Sequence, residues 1–87
     1  MTMQDTNAQA VGLQALGWAV ADADRAARLL GLTGLSPEDL RQRIGDPALL
    51  AAVLGFLEAH EPDLIACADA LDLSPAELVE ARRRLER

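Results

Sequence analysis

Asp46-Pro-Ala-Leu-Leu-Ala-Ala-Val-Leu-Gly-Phe-Leu-Glu-Ala-His60 is the most apolar stretch of the chain and lies near its middle. It opens with a helix start. The Asp46 carboxylate can accept a hydrogen bond from a free N–H of the first turn, and Pro47 then takes the first helical position, where its missing N–H is no loss. Leu50, Val53, Leu54 and Leu57 follow at i, i+3, i+4 and i+7, which is one helical face. Leu49, Val53 and Phe56 form a second face beside it, and Ala51, Ala52 and Gly55 cover most of the rest. A helix apolar nearly all round is a buried helix. It falls short of the roughly 20 apolar residues needed to span a bilayer. The spacing predicts a central helix around which the others pack, returning to water at Glu58 and His60.

The flanking sequence reads the same way in both directions. Upstream, Ser36-Pro37-Glu38-Asp39 is a start signal with an N-cap, a proline and first-turn acids. It predicts a short helix to about Ile44, stopped by Gly45, with Leu40 and Ile44 inward and Arg41, Gln42 and Arg43 outward. Asp22-Ala23-Asp24 opens a helix to about Leu30, its early carboxylates suited to the positive helix end. Ala26, Leu29 and Leu30 face inward, and Gly31 and Gly34 punctuate the end. Between about Ala8 and Ala21, Val11, Leu13, Leu16 and Val20 recur, with Ala15, Trp18 and Ala19 between them. In that first helix Gly12 and Gly17 each lower the propensity by about 1 kcal/mol relative to alanine, and a glycine there suggests close approach of another backbone. Residues 1–7 are polar and unpatterned and read as a disordered N-terminal segment.

Downstream, Glu61-Pro62-Asp63 starts a fifth helix carrying Leu64, Ile65, Ala68 and Leu71. Ser74-Pro75-Ala76-Glu77 is a capping-box pattern. It opens a sixth helix with Leu78, Ala81 and Leu85 on one face. Every connection is short, which favours neighbours packing together. The fold class expected is all-α: a compact six-helix bundle forming a single domain over residues 8–87.

The halves resemble each other. Leu16-Gly17-Trp18 recurs as Leu54-Gly55-Phe56, and Leu35-Ser36-Pro37 with Leu40 recurs as Leu73-Ser74-Pro75 with Leu78, both at an offset of 38 residues. This suggests two three-helix units related by a pseudo-twofold, with Gly17 and Gly55 where the first and fourth helices cross.

Composition narrows the function classes. With a net charge of −6 the chain is a poor nonspecific ligand for nucleic acid or an anionic membrane, since both require positive potential. Cys67 is alone, so neither an intrachain disulfide nor a thiolate metal cage is available. No basic segment followed by a long apolar run marks a signal peptide, and a cytoplasmic location is the expectation.

Leu32-Thr33-Gly34-Leu35, Arg41, Asp46-Pro47 and Leu50-Ala51-Ala52-Val53-Leu54 resemble a family of short alphaproteobacterial proteins, the domain of unknown function 3572 family. The resemblance covers nearly all of the chain after Ala8. It implies a small helical fold and a bacterial origin, and it implies no activity, cofactor or site residue.

The residues able to carry chemistry are few. Cys67-Ala68, Leu71, Leu73-Ser74 and Leu78 match the apolar and small positions of a helix-turn-helix over residues 63–87, with Asp72 where glycine is preferred at the turn. Arg82, Arg83, Arg84 and Arg87 would then be nucleic-acid contacts. They lie late in the would-be recognition helix, whose first exposed residues are Ala76, Glu77 and Glu80, and acids at that end meet phosphate repulsion. His60, Asp63 and Cys67 could be drawn as a metal site, but the helix break at Pro62 separates them, and a metal needs three or four converging ligands. Cys67 has no neighbouring base and reads as a small buried hydrophobe. Gly31-Leu-Thr-Gly34 has neither the lysine nor the preceding strand of a phosphate loop. No catalytic residue, metal or cofactor is expected. The reading favoured is a protein–protein interaction module that is not an enzyme, its partner an unidentified protein or a second copy and not a membrane. The exposed positions of the first and sixth helices are its candidate surface. The alternative is a DNA-binding regulator, which requires Arg41 and Arg43 to continue the face of Arg82–Arg87.

Overall fold

A computed structural model describes the backbone of residues 3–87 and the side chains of residues 7–87. Six helices follow in chain order: α1 (Met3–Val20), α2 (Ala23–Thr33), α3 (Pro37–Gln42), α4 (Pro47–Glu58), α5 (Glu61–Ala70) and α6 (Pro75–Leu85), with no strand among the described residues.

From α2 onward the helix starts are made by side chains. Asp22 accepts the Arg25 N–H at 3.0 Å and Asp46 the Ala48 N–H at 2.9 Å. Ser36 with Asp39 and Ser74 with Glu77 close reciprocal capping boxes. α5 is the exception, because His60 stands at its N-cap without a side-chain bond. Three of these carboxylates are held below their ordinary range: Asp22 chiefly by the Arg25 N–H, Asp39 by the Ser36 N–H and Asp46 by the Ala48 N–H. A folded-state value below the ordinary 3.8 means that the unfolded chain takes up protons first on acidification. The caps' contribution is complete above that value and is lost as pH falls through and below it. The urea midpoint is therefore expected to drop below about pH 4 at constant ionic strength. A midpoint unchanged from about pH 5 to about pH 2.5 would contradict this.

Several helix ends depart from the sequence reading. α1 begins at Met3, ahead of Ala8, so Met3–Asn7 of the segment expected to be disordered are helical. Met1 and Thr2 lie outside the described residues. α2 continues through Gly31, and the left-handed residue that ends it is Gly34 (φ 74°), whose N–H donates to the Leu30 carbonyl at 2.9 Å. α3 ends at Gln42, so Ile44 falls in the following turn and is 51% exposed instead of facing inward. α5 closes with the Leu73 N–H on the Ala68 carbonyl and the Asp72 N–H on the Asp69 carbonyl, which puts Asp72 at φ 58°. Glycine would fit that position freely, and an aspartate is one of the few other residues that tolerate it.

α4 is the central helix that its sequence specifies. Leu49, Leu50, Ala51, Val53, Leu54, Phe56 and Leu57 are all buried. α1 covers it with Ala8, Val11, Ala15 and Ala19, and α6 with Leu78, Ala81 and Leu85. α6 lies along both α1 and α4 and closes the bundle. The radius of gyration is 11.8 Å, close to the roughly 12 Å of a fully compact chain of this length.

The crossing of α1 and α4 is not at Gly17 and Gly55. A Cβ at Gly17 would meet nothing within 4 Å, and one at Gly55 would meet only Arg82 Cδ of α6, at 3.9 Å. The close approach is at Gly12, where a Cβ would lie 2.9 Å from Leu50 Cβ. The two halves are also not interchangeable. α6 packs along α1 and α4, whereas α3, its counterpart in the sequence repeat, buries no residue and packs extensively on no other helix. The repeated Leu-Ser-Pro motif marks a shared capping box, not a shared place in the bundle.

Candidate functional site

α1 carries two apolar faces. The first meets the core, and Leu13, Leu16, Gly17 and Val20 make up the second, which turns toward α2 and α3. α2 adds Ala26 and Leu30 to this side, and α3 with its following turn adds Pro37, Leu40 and Ile44. Together they line an open groove of about 420 Å³. Leu16 is its buried floor, while Leu13 (41%), Val20 (44%) and Ile44 (51%) remain substantially exposed. α3 is too short to cover them. Among the described residues Arg41 is the one charged residue in the lining, and it pairs with Glu38 at 3.3 Å. Contiguous exposed apolar surface edged by polar groups is the mark of a docking face.

Three of the four arginines proposed for nucleic acid pair with carboxylates. Arg82 pairs with Glu58 of α4 and with Glu86, and its bond to Glu58 raises its pKa above the ordinary guanidinium value. Arg83 and Arg84 reach Glu80 at 4.0 and 3.3 Å. Arg87 follows the end of α6 and is exposed. Arg43 pairs with Asp46 at 3.1 Å. Arg84, with Glu77 and Glu80, borders Asn7, Ala8 and Val11, whereas Arg41 lines the groove at Leu13, Gly17 and Val20. These are separate faces of α1, so Arg41 does not extend the α6 arginines into one stripe.

Two contacts of α2, one with α1 and one with α5, had no signature in the sequence. Arg25 stacks on the Trp18 ring at 3.6 Å and donates to the Trp18 carbonyl at 2.9 Å, fastening α2 to α1. Asp63, buried, lies between the Arg28 guanidinium at 2.9 Å and His60 Nδ1 at 3.0 Å. Such a charge is tolerated inside only because it is paired. His60 and Asp63 thus meet each other, and among the described residues no three of His, Cys, Asp and Glu converge as a metal would require. Burial pushes the Cys67 thiol up to about 11, a shift that the positive charge of Arg25 only partly offsets. Its reactive thiolate is scarce at neutral pH. Labelling by a disulfide reagent is expected to be slow in the folded protein and to rise steeply with urea across the unfolding transition. Labelling as fast as that of a free thiol without urea would show Cys67 to be accessible.

Among the described residues no helix is long and apolar enough to cross a membrane. Neither the curated proteins nor the solved structures gave a match to this sequence. The family model described as Protein of unknown function (DUF3572) matches residues 5–87, essentially the whole chain, and the chain belongs to this family.

Proposed function

We propose that this chain is a protein–protein interaction module of the cytoplasm, without catalytic activity, and that the groove between α1, α2 and α3 is its docking face. The observation that carries this reading is the set of large apolar side chains left uncovered around one groove, Leu13, Val20 and Ile44. A polypeptide helix laid there would present apolar residues at helical spacing to a preformed channel. Burying apolar surface contributes about 25 cal/mol per Å² before the losses of association are subtracted. Nucleic acid suits the molecule less well, because Arg82, Arg83 and Arg84 are matched by carboxylates and the net charge is −6.

Affinity capture from a lysate of the source organism tests the reading, with the Leu13→Glu/Ile44→Glu double variant as comparison. A polypeptide retained after nuclease treatment by the wild type and lost by the variant is the expected result. Retention that disappears with nuclease would favour the DNA reading. Retention identical in the variant would remove the groove from consideration.

A further inference from the structure

We infer that the occupant of the groove is a second copy of this chain, in a twofold dimer that joins the α1–α3 faces; this rests on the docking reading above. Charge is the first argument. Residues 7–45 carry four carboxylates against four arginines, whereas residues 46–87 carry nine carboxylates against four arginines. Two copies of an acidic chain repel, and the repulsion is least when the charged halves point apart and the neutral ones meet. The groove lies wholly in the neutral half.

The second argument is self-complementarity. Glu38 and Arg41 stand one turn apart on α3, 66% and 76% exposed, with Arg41 at the groove edge. In a twofold interface a residue that meets its counterpart is met by it in return. Arg41 of one copy set beside Glu38 of the other adds to the pair each already makes within its own chain at 3.3 Å, and does so twice. A purely basic or purely acidic partner would match only one member of each pair. Ile44, half exposed beyond the end of α3, is the apolar residue each copy lends to the other's Leu13 and Val20. Area does not forbid this arrangement. A standard interface takes about 800 Å² per partner, roughly one sixth of the 5040 Å² surface of this chain.

Sedimentation velocity from about 1 µM to about 1 mM tests the inference. The mass should rise with concentration toward twice the 9.3 kDa of one chain. Leu13→Glu/Ile44→Glu should weaken dimerisation by more than about tenfold. Ile65→Glu, the same kind of change at an exposed residue of α5, should leave it unaltered. Glu38→Arg and Arg41→Glu should each weaken the dimer, and mixing the two single variants should restore association, a rescue that the intrachain pair, still broken in both chains, cannot produce. A single-chain mass across the whole range overturns the inference, as does a dimer indifferent to the groove and charge variants. If the chain is monomeric while a different protein is captured through Leu13 and Ile44, the second copy is rejected and the docking reading stands.

Discussion

Gly12→Val is expected to destabilise the domain by about 2–3 kcal/mol, measured by urea unfolding, because it forces side-chain atoms into the close approach of α1 on Leu50 of α4. Even the Cβ would lie 2.9 Å from Leu50 Cβ and 3.4 Å from a Leu85 methyl. Leu50 Cβ is fixed to the α4 backbone, so relief requires α1 and α4 to separate, which loosens the packing of both on α6. Gly12→Ala opposes the same clash with a helix-propensity gain of about 1 kcal/mol and should still be destabilising. Gly17→Ala isolates that gain. Nothing lies within 4 Å of its Cβ, so it should stabilise by up to about 1 kcal/mol. Equal effects of alanine at the two glycines would show that the close approach is not at Gly12.

Leu54→Ala should cost about 2–5 kcal/mol, the range for removing a fully buried leucine and leaving part of its volume empty. A domain of this size is stable by roughly 4–13 kcal/mol, so this one substitution takes a large share of the total. At about 4–8 °C per kcal/mol, the thermal midpoint should fall by at least about 8 °C. Leu32→Ala is the control. Leu32 is 74% exposed, and its truncation should stay within about 0.5 kcal/mol of the wild type. A Leu54 variant as mild as the Leu32 variant would mean that α4 is not the centre of the core.

What the sequence made legible was local chemistry. Asp22, Ser36, Asp46 and Ser74 bond to amides two or three residues away, so their roles follow from spacing alone. The buried character of α4 followed from Leu50, Val53, Leu54 and Leu57, since a helix with no polar face has nowhere else to go. What was not legible depended on how helices meet. Either apolar face of α1 could have met the core, and only the assembled bundle shows Val11, Ala15 and Ala19 inside with Leu13 and Val20 left at the groove. Gly12 and Gly17 look alike until the crossing point is known. Ile44 was placed inward on the premise that α3 reaches it, and the helix stops at Gln42. For the groove the signal was present: Leu13, Leu16 and Val20 repeat at i, i+3 and i+7 as a second stripe beside the first. The ion pairs of Asp63 and Arg82, which join residues far apart in the chain, left no such trace.

α3 is held by its capping box, by the chain on either side of it and by the half-buried Leu40, and none of its residues is fully buried. Amide protons in a segment with few buried contacts exchange with solvent through small local openings, whereas those at the centre of a core wait for global unfolding. Exchange should therefore be fast along Pro37–Gln42 and slowest in α4. One wall of the groove is thus lightly anchored, and the other, α1, is set in the core. Whatever occupies the groove must immobilise that wall, and slowed exchange confined to α3 would report occupancy even if no helix moved.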